Sequence, residues 1–232
     1  MTDDELFILG IDEAGRGPVI GPMVIVGVVA TPNQIGIINK HVKKDSKGYT
    51  PLKRATLYEY IVNTAKDILV NKVSPAEIDE WVISRGGLNE MEAYYTSRII
   101  LDASSRYRLG VIYVDACDAQ AENYKNRIMK YLPDEIRDIN IVSEHKADEK
   151  YTIVSAASIV AKTIRDRIIE ELRDKYGDFG SGYPSDPKTK RFIETTNNIE
   201  ALSIVRKSWK PIRKLIEKRS VKDLGDYIGD NR

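Results

Sequence analysis

The sequence predicts an α/β domain over roughly residues 1 to 175, followed by a helical C-terminal segment. Three observations predict it. Apolar runs rich in valine and isoleucine alternate with stretches of helical spacing; two of those runs end in a carboxylate; after residue 176 only helical patterning remains.

In chain order, residues 6 to 11 and 22 to 30 (PMVIVGVVA) are apolar runs that read as strands. Between them, EAGRGPVIGP contains Gly15, Gly17, Pro18 and Gly21, which demand a tight connection that exposes its backbone. Residues 53 to 69 place Leu57, Tyr60, Ile61, Ala65, Ile68 and Leu69 at helical spacing. Ser74-Pro75-Ala76-Glu77 has the form of an N-cap with proline at the first helical position, so two helices flank a short strand. A helix over 89 to 107 begins after Gly86-Gly87. Residues 110 to 115 (GVIYVD) form a buried strand ending in a carboxylate, and a helix over 121 to 132 follows. A strand over 139 to 143 precedes a long helix over 152 to 176, whose first half is rich in small residues that allow close approach. Past Gly177, a loop rich in Gly, Pro, Ser and Asp leads to helices over 188 to 197 and 209 to 219.

Composition excludes several classes. The chain has 36 basic and 35 acidic residues in 232, for a net charge of +1, so no global field advertises an anionic partner. A single cysteine, Cys117, excludes an internal disulfide framework, and with His41 and His145 it cannot complete a Cys/His zinc site. A metal would have to be held by carboxylates. No apolar run approaches the roughly 20 residues of a membrane span, and the acidic start, MTDDELFILGID, lacks the marks of a signal peptide. A cytoplasmic location is expected.

Four acids stand out: Asp12 and Glu13 after the first strand, Asp115 after a central strand, and Asp148 before the long helix. Each alone also fits a cap or turn residue. Together they are harder to explain that way, because converging carboxylates raise one another's pKa unless cations intervene, and oxygen-only ligands suit Mg²⁺ or Mn²⁺. The ends of strands in open α/β sheets are the usual site formers.

GIDEAGRGPVIGPMV, the DSK of residues 45 to 47, YVDAC at 113 to 117, EHKADEKYTIVSAASIVAK at 144 to 162 and GSGYPSDPKT at 180 to 189 together resemble type 2 ribonuclease H, most closely its archaeal form. The matches keep the family's order over residues 8 to about 210. The resemblance implies a ribonuclease H-like fold, a mixed central sheet flanked by helices with a C-terminal helical segment. It implies an endoribonuclease acting on the RNA strand of RNA/DNA hybrids and 5′ of ribonucleotides in duplex DNA, leaving 3′-hydroxyl and 5′-phosphate ends. The family's carboxylates fall on Asp12, Glu13, Asp115 and Asp148 as catalytic metal ligands for Mg²⁺ or Mn²⁺. Two-metal hydrolysis needs no side-chain nucleophile. A non-catalytic hybrid-binding or complex-assembly subunit of the same fold is the alternative.

Gly15, Arg16 and Gly17 suit sensing of a 2′-hydroxyl, because glycines let backbone donors and acceptors approach a sugar that both donates and accepts. The resemblance pairs this loop with Tyr183 and places Lys47 at a phosphate, within a stretch over 40 to 54 that has six bases against Asp45. The family's DSK continues with Leu-Thr; here it reads Gly48-Tyr49-Thr50. Ser155 and Lys162 also match substrate-binding positions, and Arg165 is expected to pair with Asp166 or Glu170 at the surface.

Residues 202 to 222 contain eight bases, Arg206 among them, and one acid, a pattern expected to form a duplex-backbone platform around buried Trp209, Ile212, Leu215 and Ile216. Leu224, Tyr227 and Ile228 have the spacing of the hydrophobic plug that replication proteins insert into a sliding clamp, with Val221 where such motifs have Gln. A frayed terminus is the other reading of residues 221 to 232. Cys117 reads as a small hydrophobe rather than a nucleophile, and the glycine spacing excludes a dinucleotide fingerprint.

Overall fold

The computed structural model describes residues 5 to 42, 49 to 210 and 212 to 214. Five strands form one mixed sheet: β1 (Phe7–Ala14), β2 (Met23–Ala30), β3 (Asp67–Val73), β4 (Leu109–Asp115) and β5 (Ile141–Glu144), in the order β3-β2-β1-β4-β5. The first three pair antiparallel, while β4 and β5 join parallel to β1. Both faces are covered, which is why β2 reads as an unbroken apolar run.

Alternation along the strands divides the core in two. Leu9, Ile11, Ile25, Ile112 and Val114 face one layer, built by α3 (Pro75–Ser84), α4 (Leu88–Arg106) and α5 (Ala121–Lys130). Ala14, Val24, Val26 and Val28 face the other, built by α1 (Pro32–Asn39), α2 (Pro51–Thr64) and α7 (Thr152–Tyr176). The small residues of α7 let it lie against β1. A Cβ on Gly10 would sit 2.6 Å from the Ile153 backbone, so this contact requires glycine.

The strand expected over 6 to 11 runs on through Asp12 and Glu13 to Ala14, and the strand expected over 139 to 143 lies at Ile141–Glu144. The helix expected over 53 to 69 stops at Thr64, and Ile68 and Leu69 instead belong to β3, pairing with Val28 and Gly27. Helix α1 was not expected, although Thr31 and Gln34 form a reciprocal capping box with Pro32 in the first turn. Past α7, helix α8 (Pro187–Thr195) and the segment at 201 to 206 fold back onto the domain, where Ile20 bridges Val205. Val19, Ile20, Ile169, Phe179, Ile193, Ile204 and Ile212 form a third apolar cluster there. No described helix is long and apolar enough to cross a membrane.

Candidate active site

The carboxylates gather where β4 parts from β1. Parallel pairing of these strands ends at Ile11 and Val114, while β1 continues along β2 as far as Ala14 opposite Val24. Asp12 and Asp115 are therefore the next residues on neighbouring strands, and the Asp115 carboxylate raises the pKa of Asp12. Asp12 is buried, accepts from the Glu13 N–H at 2.7 Å and is hydrogen-bonded by Ser158 of α7, with Lys162 of the same helix nearby. Burial first, and Asp115 second, push the Asp12 carboxyl up to about 7.

Glu13, one residue on, points toward the opposite face of the sheet. Burial, Asp12, Glu92 and Asp115 all hold its carboxyl well above the ordinary range, opposed by Arg16. Asp115 Oδ1 accepts from the Ala147 N–H at 2.8 Å, which ties β4 to the short helix α6 (Ala147–Lys150). That helix follows Lys146, held at φ 56°, and carries Asp148, buried with its Oδ1 lacking any hydrogen-bond partner. Among the described residues no three Asp, Glu, His or Cys side chains stand in an arrangement that holds a metal ion as they are. The chemistry of the residues nonetheless fits a divalent cation: Asp12 and Glu13 hold their protons more tightly than ordinary carboxyls, and the buried Asp148 has one oxygen without a donor, all of which positive charge would stabilise.

Beside the carboxylates, the loop after β1 is assembled from three chain segments. Gly15 lies at φ +92°, in the region that favours glycine. Val19 N–H donates to Gly182 C=O at 2.7 Å, and Gly21 N–H donates to Ile204 C=O at 2.9 Å. Tyr183, 48% exposed, lies over Gly17, where a Cβ would meet the ring at 3.2 Å. Gly182 N–H in turn donates to Thr189 Oγ1, which donates to Phe179 C=O, fixing the tyrosine loop from beneath.

Two arginines expected at the surface are in fact internal. Arg206, expected on a duplex platform, is fully buried and donates to the carbonyls of Gly21 (3.0 Å), Arg16 (3.2 Å) and Gly15 (2.6 Å). Burial, then Arg165, depress its pKa to about 9. Arg165 does not pair with Asp166 or Glu170: it lies under Gly15, donates to Ile20 C=O at 3.3 Å, and leaves Asp166 to Arg54 at 2.6 Å. The guanidinium of Arg16 also turns inward, toward Cys117 C=O, Asn89 and Glu92. Trp209 is half-buried and Ile212 is buried, while Leu215 and Ile216 lie outside the described residues.

Of the remaining expected site residues, Ser155 is wholly buried in α7 and Lys162 is half-buried near Asp12. Lys47, Leu224, Tyr227 and Ile228 lie outside the described residues. His145 is exposed, with Nδ1 3.3 Å from Ala116 C=O. Burial and the carboxylates of Glu92 and Glu13 push the Cys117 thiol far up, leaving it unreactive.

Comparison with known proteins places the chain in a family. The family model described as Ribonuclease HII matches residues 9–212. The chain is 45% identical to a ribonuclease HII of Pyrococcus abyssi over 213 residues, covering 91% of this chain and 92% of the relative. Among solved structures, the ribonuclease H2 of Pyrococcus horikoshii superposes with a TM-score of 0.79 at 40% identity, covering 93% of this chain and 99% of that one. The ribonuclease HII of Archaeoglobus fulgidus, solved as a complex with PCNA, does so with a TM-score of 0.76 at 39% identity, covering 90% and 96%. At this identity and coverage the chain belongs to the ribonuclease HII family and is an endonuclease of the ribonuclease H type.

Proposed function

We propose that this endonuclease cleaves the RNA strand of RNA/DNA hybrids and incises 5′ of ribonucleotides embedded in duplex DNA, leaving 3′-hydroxyl and 5′-phosphate ends. One observation carries the reading: the loop at 15 to 17 and the Tyr183 ring over Gly17 form a single surface directly after the carboxylates Asp12 and Glu13. Asp12, Glu13, Asp115 and Asp148 are the residues that would hold Mg²⁺ or Mn²⁺. When bound, such ions supply charge that offsets the phosphate and activates water.

The chain's own groups do the recognition. Backbone groups of Gly15, Arg16 and Gly17 meet the 2′-hydroxyl, which a deoxyribose lacks. Tyr183 packs on the adjacent sugar and excludes water from it. Lys162, beside Asp12, and Lys47 contribute positive charge toward phosphates, as does the segment from residue 176 onward through Lys207, Lys210 and Arg213. Ser158 holds Asp12 in place. The tail motif Leu224, Tyr227 and Ile228 docks a sliding clamp, a reading supported by the A. fulgidus relative solved with PCNA.

The test is cleavage of a duplex with a single ribonucleotide against an all-DNA duplex of the same sequence, in Mg²⁺, in Mn²⁺ and in chelator. Incision confined to the ribonucleotide duplex and dependent on the metal is the expected result; equal cutting of both duplexes contradicts it.

A further inference from the structure

Glu92 is a carboxylate with no exposed surface, set in the inner face of α4 among Thr96, Ile99, Ile100 and Ala103. A buried charge costs several kcal/mol unless something compensates it. Its one ion-pair partner among the described residues is Arg16, with Nε 3.2 Å from Oε1, and the Cys117 thiol is the other polar group beside it. The rest of the Arg16 guanidinium is held as well: Nη1 donates to Cys117 C=O at 2.6 Å and Nη2 donates to Asn89 Oδ1. Asn89 and Glu92 stand three apart on α4, on adjoining positions of one face, and together they grip the guanidinium.

We propose that Glu92 is a positioning residue of this endonuclease, fixing Arg16 as an internal strut that sets the backbone of residues 15 to 17 beside the carboxylates. The inference rests on the proposal that this backbone reads the ribose. The loop is held from two sides. Arg206 binds its carbonyls from the C-terminal segment, while Arg16, anchored on Glu92 and Asn89, ties it to α4 and to the strand end at Cys117. Backbone bonds at Val19 and Gly21 hold the far end of the loop, and Arg16 ties its near end to α4. Arg16 itself is then a specificity element through its main chain, and Glu92 acts through it.

The experiment compares Glu92→Gln, which keeps the volume and removes the charge, with wild type. The readouts are single-turnover rate and KM on a single-ribonucleotide duplex, affinity for an all-DNA duplex, and thermal melting. The expected result is a rate lower by about 10- to 100-fold, the scale of a small misplacement of reacting groups, with KM and all-DNA affinity unchanged in a protein that still melts cooperatively. Combining Glu92→Met with Arg16→Met should cost no more than Arg16→Met alone, because the two act as one unit. Should Glu92→Gln fail to fold, Glu92→Asp takes its place and is expected to retain part of the rate. A folded variant that cleaves at the wild-type rate, or additive losses in the double variant, overturns the proposal. Gly17→Ala, assayed in parallel, separates the two layers. If it leaves ribose discrimination intact, the ribose reading fails and the strut falls with it. If it abolishes discrimination while Glu92→Gln cleaves at the wild-type rate, the strut alone is wrong.

Discussion

The Tyr183 ring covers Gly17 so closely that a single added methyl would come within 3.2 Å of its Cε1. Two loops more than 160 residues apart in sequence thereby present one surface, and the backbone bond from Val19 to Gly182 holds them together. Gly17→Ala is expected to displace the ring or the loop by a few tenths of an ångström and to lower incision at a single ribonucleotide by about 10-fold or more. Tyr183→Ala should lose rate on that substrate and lose less on a long hybrid, where several sugars share the contacts. Steady-state kinetics on both substrates checks this, and equal losses on the two would contradict it.

Arg206 is legible only in three dimensions. It answers three carbonyls of the loop at 15 to 21 with no exposed surface. Arg206→Met leaves those oxygens without their donor and is expected to cost about 2–4 kcal/mol of stability, read as a shift of the denaturation midpoint. Arg206→Lys should not restore it, because an ammonium cannot span three separated acceptors as the guanidinium fork does. Recovery of wild-type stability by lysine would refute the clamp.

Acidity at the site gives a stability profile with a definite sign. The Asp12 carboxyl is raised from an ordinary 3.8 to about 7, so the folded state holds its proton more tightly than the unfolded chain does. Its contribution is therefore fully present below pH ~4 and is lost as pH rises toward about 7, by an amount on the order of 4 kcal/mol at most. Carboxylates held low by partners, such as Asp118, Glu90 and Asp186, act in the opposite direction, so the effect is isolated by difference. In chelator, wild type should lose stability relative to Asp12→Asn between pH 4 and 7, and saturating Mg²⁺ should remove the gap. Parallel curves for the two proteins in chelator would contradict the assignment.

Deletion of residues 221 to 232 is expected to leave cleavage of a free hybrid unchanged while abolishing association with a sliding clamp. Binding measured by surface plasmon resonance on immobilised clamp decides it, and undiminished binding removes the tail from the account.

Much of this site was legible in the chain because its chemistry sits at element ends. An apolar run that ends in a carboxylate, as at Asp12 and Asp115, is visible in one dimension, and so is the glycine-rich turn that follows β1. Boundaries were less legible where patterns overlap: Ile68 and Leu69 extend the helical spacing of α2, yet strand pairing with β2 claims them. Helix α1 announced itself only through the cap formed by Thr31 and Gln34. The internal arginines were hidden by their company. Arg206 lies among lysines and reads as a solvated face, and only contacts with residues some 190 positions away reveal its role. Glu92 left a weaker signal that could have been read, since it shares the spacing of Thr96, Ile99 and Ala103, the buried stripe of α4.

The central claim, that the carboxylates at the strand ends perform the cleavage, is tested most directly by Asp115→Asn. The substitution keeps the shape and keeps an acceptor for the Ala147 N–H. Single-turnover cleavage of a single-ribonucleotide duplex, measured beside its binding affinity, should show incision lost by about 1,000-fold or more, as expected when transition-state charge stabilisation is removed, with binding retained. Cleavage by Asp115→Asn at the wild-type rate would contradict the account.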